Sequence, residues 1–592
     1  MKYAEYICEN LQSEEGYTHC YFVAGGNIMH FLDAVRTRFI CIPVINEVAA
    51  GIAVEYFNET NKDGHKAFAL VTAGPGLTNI VTAIAGAYLE SRELLVIGGQ
   101  VKRADLKSPE LRQRGIQEID GRAIVEPITN CSVLIKNTLE FSEIRKFLYA
   151  KNKPGPVFLE LPLDVQAEQV SYEISPKRSH KLSANIEKQI STFASEVVEV
   201  IGKSKRPILL LGGGLSRAAA ARFNRQLSNL GIPIMTTWNG ADRYGSEQDN
   251  FWGRPNTWGQ RAANILIQQS DCVIVLGSRL GLQQTGFAWQ EFAPLAKIFQ
   301  VDIDEFELTK GHPKIYRGFA CGAAEFLEVF IKLFDSRIYD VSDWLSFGER
   351  VLREFPLNDI NNVTTPGYID PFEFVNEMSN QLNSLDVIIP CSSGGAFTVM
   401  LQAFKLKFGQ TMVSNKGLAS MGYGLSAAIG AAESTQMRTV LVEGDGGFAQ
   451  NLQELGTVIQ RRLNLKIFIF ANSGYASIRM TQRNYFEGAY LGCDIDTGLG
   501  LPNWEFIAKA YDIPYHEIKD QLEMPGQIDD ILSSHGPSLI LLKIDPEQTF
   551  YPKITSRVLP DGSMASNPLH LMSPDLSPTQ ISEFLPYLSD SM

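Results

Sequence analysis

The chain is predicted to be an α/β protein built from three doubly wound parallel-sheet domains. Three observations predict this. Apolar β-rich runs alternate with helical segments through most of the 592 residues. Gly-rich turns repeatedly follow those runs, and polar stretches divide the chain into three comparable blocks.

In chain order, residues 1–170 alternate strands and helices and close on KPGPVFLELPLDV. The polar SYEISPKRSHKLSANIE then reads as a linker. A second block, 185–335, starts near RPILLLGGG and contains the apolar strand DCVIVLGS, Asp271 to Ser278. A third block, 368–547, follows NDINNVTTPG. Residues 551–592 are rich in Pro and Ser with little periodicity, and read as a tail. The first and third blocks share a loose pattern of strand, Gly turn and helix.

The third block holds the most informative segment, EGDGGFAQNLQEL, in which Asp445 precedes Asn472 of FIFANSGY by 27 positions. TVLVE is a strand ending in a Gly-rich turn, NLQELGTVIQRR a helix, and LKIFIFA, Leu465 to Ala471, a second buried strand. In such a β-α-β unit the strands are parallel, so Asp445 and Asn472 emerge at one carboxyl edge. Gly446 and Gly447 permit close backbone approach at a helix N-terminus, where free N–H groups favour phosphate. A carboxylate there repels phosphate unless a cation lies between them. Mg²⁺, a hard octahedral ion taking oxygen ligands, suits that role, with Asp445, the Asn472 amide oxygen and the Gly474 carbonyl as ligands. Taken alone, GDGGF also fits an ordinary turn or an incomplete G-x-G-x-x-G fingerprint.

GDGGF with the later NSGY resembles the signature of the thiamine diphosphate (ThDP) enzymes, and residues 1 to about 550 resemble the acetohydroxyacid synthase branch of that family. VINEVAAGIAVEYF resembles the catalytic-glutamate segment, TAGPGLTNIVTAIAGAYLE its following turn and helix, and IQEID the active-site glutamine loop. RPILLLGGG, GSRLGLQQTG and FAPLAKIFQVDID resemble the central domain, and GLASMGYGLSAAIGAA precedes the diphosphate segment.

The resemblance implies that Glu47 bonds N1′ of the cofactor's aminopyrimidine and promotes loss of the thiazolium C2 proton. Its apolar flanks (Val44, Ile45, Val48, Ala49, Ala50) predict a carboxyl raised by desolvation. Met421 corresponds to the bulky residue beneath the cofactor, although methionine is also a common core filler. Gln117 corresponds to a polar group near the reacting ketoacid, and Gly25 and Gly26 to a turn facing the thiazolium. Ser393, Gly394 and Gly395 correspond to the loop on the other side of the diphosphate, and Ile478 to a cofactor-binding position. Gly213 and Arg279 correspond to a segment that holds FAD structurally in the synthases. The residues after Arg279 depart from that pattern, and an empty spacer domain remains the other reading.

The resemblance further implies pyruvate as donor and a ThDP site shared between subunits, with Glu47 from one and Asp445 from another. It thus implies a homodimer at least, and a homotetramer as the fuller assembly. The tryptophan with which synthases select a small acceptor corresponds to Thr481, which predicts a more open acceptor pocket. TQRNYFEG and the PLHLMSP tail resemble carboligases of branched-sugar biosynthesis, including the acetyl-transferring enzyme of yersiniose formation. The expectation is transfer of a two-carbon acetyl unit to a ketone, such as a nucleotide-linked keto-sugar. Acetolactate synthesis and 2-ketoacid decarboxylation are the alternatives, and no two histidines adjoin as they do in some decarboxylases. Arg479 and Arg483 are candidates for acceptor phosphates, with solvated residues on a helix face as the alternative. In relatives the tail folds over the active site; a disordered terminus is the alternative.

Composition agrees with an enzyme and excludes other classes. A formal charge of −13 and a pI near 5.3 argue against nucleic-acid and membrane-surface partners, which require basic patches. Eight cysteines without a C-x-x-C indicate neither zinc nor a disulfide framework, and point to a reducing, cytoplasmic setting. The amino terminus has no apolar signal core.

Overall fold

A computed structural model describes residues 1–174, 176, 184–334 and 340–588. Part of the polar linker, residue 335 of the second block and the last four residues of the tail lie outside the described residues.

Three parallel sheets organise the chain. The first contains β1 (Tyr17–Phe22), β2 (Ile40–Pro43), β3 (Lys66–Val71), β4 (Leu94–Gln100), β5 (Cys131–Leu134) and β6 (Pro156–Pro162), in the order β2-β1-β3-β4-β6-β5. The central sheet contains β7 (Pro207–Leu211), β8 (Ile234–Thr236), β9 (Cys272–Leu276), β10 (Lys297–Asp302) and β11 (Arg317–Ala320), ordered β11-β10-β9-β7-β8. The third contains β12 (Val387–Ile389), β13 (Thr411–Met412), β14 (Thr439–Gly444), β15 (Leu465–Ala471), β16 (Tyr515–Ile518) and β17 (Ser538–Lys543), ordered β13-β12-β14-β15-β17-β16. The first and third sheets therefore repeat one strand order, which gives the shared sequence pattern a structural counterpart.

Helices cover both faces of each sheet, so the central strands are apolar on both sides rather than alternating. Every residue of β4, β7 and β9 is buried. The β14–β15 pair is parallel, with Thr439 opposite Leu465 and Gly444 opposite Phe470. The helix expected between them divides into a 3-10 turn, Leu452–Glu454, and an α-helix, Leu455–Arg461.

The first and third sheets meet through helices Glu47–Thr60 and Tyr423–Thr435. Their contact is close enough that a Cβ on Gly430 would lie 2.0 Å from the Ala53 carbonyl oxygen. A buried polar network seals this contact. Glu55 accepts from Arg92 at 2.8 Å, from the Tyr423 hydroxyl at 2.7 Å and from Asn415 at 3.1 Å. Arg217 ties in the central domain by pairing with Glu59 and Asp242, each at 2.6 Å. Desolvation raises Glu59, but Arg217, Arg92 and Arg243 outweigh it and hold the carboxyl down at about 2.

The tail is ordered over its described length. It contains a hairpin, β18 (Ser556–Val558) with β19 (Met564–Ser566), and a capped helix, Pro578–Phe584. Leu569, Met572, Phe584 and Leu585 pack into the central-domain core with Ile265, Trp252 and Trp344. No described helix is long and apolar enough to cross a membrane.

Candidate active site

Because the strands within each sheet run parallel, the loops that follow them gather at one edge. Each sequence-predicted site residue occupies such a loop or the helix opening from it. Gly25 and Gly26 follow β1, Glu47 follows β2 and Gln117 follows β4. Ser393 to Gly395 follow β12, Met421 follows β13, Asp445 follows β14, and Asn472, Gly474 and Ile478 follow β15. Gly213 and Arg279 follow β7 and β9 of the central sheet.

Glu47 opens helix Glu47–Thr60, whose N-cap Asn46 accepts from the Val48 N–H at 3.0 Å. The Glu47 side chain is buried, and its Oε2 accepts from the Asn79 amide at 2.9 Å. Oε1 has no hydrogen-bond donor among the described residues and faces Gly76, where a Cβ would lie 3.4 Å away. The preceding turn is fixed from the third domain. Glu454, fully buried, accepts from the Ile45 and Asn46 N–H groups at 3.1 and 3.0 Å.

Gly25 has no room for a side chain, since a Cβ would lie 2.5 Å from Thr72 Cβ. Gly74, at φ +68°, has its Cβ position 2.4 Å from the Gln117 carbonyl oxygen. The Gln117 loop therefore closes over the turn leading to Gly76 and Asn79. Its shape comes from Glu118, whose buried carboxylate accepts from the N–H groups of Lys107, Arg114 and Gly115. Burial pushes the Glu118 carboxyl up, but these three donors outweigh it and hold it below the usual range.

In the third domain Asp445 is buried, with Oδ1 accepting from Gly446 N–H at 2.7 Å and Oδ2 from Ser473 N–H at 2.9 Å. Desolvation exceeds the effect of these donors and pushes the carboxyl up to about 6. The Asn472 side-chain amide points inward, one terminal atom 2.8 Å from the Gly474 carbonyl oxygen and 3.3 Å from Asp445 Oδ1. An amide can turn its oxygen to a hard cation, and neighbouring ligands on octahedral Mg²⁺ stand about 2.9 Å apart, so the spacing of these groups fits one. The donor set is thus one carboxylate, one amide and one carbonyl, all oxygen.

Glycine is required at 474, where φ is +139° and a Cβ would lie 2.4 Å from the Cys493 carbonyl oxygen. Gly446 lies under the Tyr475 ring, 2.5 Å from its Cβ position. Gln450 Nε2 lies 3.6 Å from Met421 Sδ and 3.5 Å from the Tyr475 hydroxyl. Met421 and Ile478 remain 40% and 47% exposed, leaving apolar surface beside the oxygen cluster. Gly394, at φ +84°, opens helix Gly394–Ala403, and Gly395 packs against the Phe550 ring.

Sequence reasoning missed Asn79, Glu454, Ser473 and Glu443. Glu443, at the end of β14, is buried and pushed up to about 8 by desolvation, with Oε2 unpartnered among the described residues. Arg479, expected to meet acceptor phosphates, is instead buried and donates to Asp494, the Asn472 carbonyl and the Pro546 carbonyl. It braces the Asn472–Gly474 loop from behind.

Three sequence patterns match this chain. "Thiamine pyrophosphate enzyme, N-terminal TPP binding domain" matches residues 1–124, the central-domain pattern residues 194–329, and the "C-terminal TPP binding domain" pattern residues 393–542. The chain belongs to the thiamine pyrophosphate enzyme family. It is 29% identical over 564 residues to acetolactate synthase isozyme 1 large subunit of Escherichia coli K12, covering 93% of this chain and 95% of that one. It is 28% identical over 567 residues to a probable acetolactate synthase large subunit of Methanocaldococcus jannaschii, covering 93% of each. Acetolactate synthase 1, chloroplastic, of Zea mays is 26% identical over 569 residues, covering 94% of this chain and 87% of that one. The protein is thus a ThDP-dependent enzyme of the acetolactate synthase-like carboligase type.

The central loops that carry Gly213 and Arg279 are joined to each other. Gly212 N–H donates to the Leu276 carbonyl and Gly214 N–H to the Gly277 carbonyl, both at 2.8 Å, which joins the Gly213 loop to the one bearing Arg279. Asn239, whose Oδ1 is buried and unpartnered among the described residues, faces Gly213.

Proposed function

We propose that the protein is a pyruvate-decarboxylating carboligase that transfers a two-carbon acetyl unit to a carbonyl acceptor. The similarity to acetolactate synthases favours a second pyruvate as that acceptor. The observation that carries the reading is the convergence of the Asp445 carboxylate, the Asn472 amide and the Gly474 carbonyl on the sheet edge that also presents an uncapped Gly-rich helix start.

In this reading Asp445, Asn472 and Gly474 would hold Mg²⁺, and Gly446–Gly447 and Ser393–Gly395 would receive the cofactor's diphosphate. ThDP, when bound, supplies a thiazolium carbon that takes up the ketoacid and stabilises the charge left by decarboxylation. Glu47 holds a proton at the pyrimidine nitrogen, Asn79 fixes its second oxygen, and Gln117 orients the ketoacid. Met421 and Ile478 exclude water from the cofactor face. The exposure of these two apolar side chains in a single chain supports a partner subunit over the site. A homodimer is the minimum assembly, and a homotetramer the fuller one. FAD is proposed as a structural ligand of Gly213 and Arg279.

Thr481 favours a second reading. It is exposed on helix Ala476–Tyr485 with its hydroxyl donating to the Ser477 carbonyl at 3.0 Å, and it leaves open the volume that an indole fills in the synthases. A larger ketone, such as a nucleotide-linked keto-sugar, would fit there. Incubation with pyruvate, ThDP and Mg²⁺, with and without added ketones, decides between the readings. Rapid acetolactate formation from pyruvate alone supports the first; carbon–carbon bond formation only with an added ketone supports the second. No pyruvate consumption under either condition contradicts both.

A further inference from the structure

Arg254 is 1% exposed, and among the described residues no carboxylate pairs with it. Burial alone pushes its guanidinium down to about 10. An isolated buried cation is costly, and such groups are retained where their charge is used. Two of its donors go to one place, while Nη1 is unpartnered among the described residues. Nε donates to the Leu401 carbonyl at 3.0 Å and Nη2 to the Phe404 carbonyl, the C-terminal end of helix Gly394–Ala403. Gln260 completes the clamp, accepting from Arg254 N–H at 2.9 Å and donating to the Gln402 carbonyl at 2.6 Å.

The opposite end of this helix is Ser393–Gly394–Gly395. Ser393 makes no side-chain capping bond, and Gly394 has open space around its Cβ position. A ten-residue helix is about 15 Å long, and a buried, unscreened charge still acts across that distance. A cation at the C-terminus also satisfies the negative end of the dipole and fixes the helix against the central domain.

We propose that Arg254 is a positioning residue for ThDP: from the central domain it clamps the far end of the diphosphate-facing helix and lends it positive charge. The proposal rests on Ser393–Gly395 being a diphosphate loop. It adds that a central-domain residue without contact to the cofactor sets the cofactor's affinity.

The test uses the full-length protein with Arg254→Lys, Arg254→Gln and Arg254→Met, measuring ThDP binding in Mg²⁺ by calorimetry and the rise in unfolding midpoint that saturating ThDP produces. The expected result is about three- to tenfold weaker ThDP binding in the Gln and Met variants. Their ThDP-induced rise is reduced, Arg254→Lys stays within about twofold of wild type, and the KM for pyruvate at saturating ThDP is unchanged. A merely structural role lowers the midpoints with and without ThDP together and leaves the rise intact. That result, or equal losses in the Lys and Met variants, overturns the proposal. If Arg254→Met does not fold, the Lys and Gln pair decides. Gly394→Ala tests the premise separately: lost ThDP affinity supports the loop assignment, and unchanged affinity refutes it whatever Arg254 does.

Discussion

Asn79 donates its side-chain amide to Glu47 Oε2 at 2.9 Å, fixing one oxygen of a buried carboxyl and leaving the other toward Gly76. A neutral amide adds no countercharge to the carboxyl, as an arginine would. The backbone just before it is tied to Glu454 of the third domain, which makes the position of Glu47 a property of the domain contact as well as of its own helix.

Replacing Asp445 by Asn should lower Mg²⁺ and ThDP affinity at least about tenfold, because the ion loses its only charged ligand and the new amide faces the Gly446 and Ser473 donors. Calorimetric titration measures this, and removal of Mg²⁺ with a chelator should release ThDP from the wild-type enzyme.

Gly25→Ala should destabilise the protein by about 1–3 kcal/mol, since its Cβ would lie 2.5 Å from Thr72 Cβ. Thermal unfolding of Gly25→Ala, Thr72→Gly and the double variant checks this. The double variant should recover part of the loss that Gly25→Ala causes.

Thr481→Trp should shift products toward acetolactate and reduce turnover with bulky ketones by about tenfold or more. The position is exposed, so the fold should tolerate the ring. Product ratios from mixed pyruvate and ketone incubations report the effect.

His570 of the tail is 5% exposed, and its Nδ1 lies 3.2 Å from Gln268 Nε2. Burial lowers its pKa from 6.5 to about 4. The folded pKa is depressed, so the docked tail is favoured above pH 6.5 and loses stability as pH falls through 6.5 toward 4, by up to about 3 kcal/mol. Limited proteolysis between pH 7 and 4.5 should show acid-dependent release of the tail, and His570→Phe should reduce that dependence.

The strands around Asp445 were legible because buried parallel strands are continuous apolar runs, and TVLVE and LKIFIFA stop where a Gly turn and an Asn-x-Gly turn begin. The sequence also placed Asp445 and Asn472 in post-strand loops. It did not reveal Asn79 or Glu454, because a contact spanning 32 or more than 400 positions depends on how helices pack, not on local pattern. Arg479 was misleading for the same reason: a charge on a helix reads as solvated until tertiary packing buries it against Asp494 and the Asn472 carbonyl. The tail's low periodicity concealed its order, which comes from docking Leu569, Met572 and Phe584 into another domain's core.

The most direct test is the hydrogen–deuterium exchange rate at C2 of enzyme-bound ThDP in wild type and Glu47→Gln, both saturated with Mg²⁺. The expected result is exchange slowed at least about a hundredfold, with ThDP affinity within a few-fold of wild type. Wild-type exchange in a folded, ThDP-saturated Glu47→Gln enzyme would contradict the account.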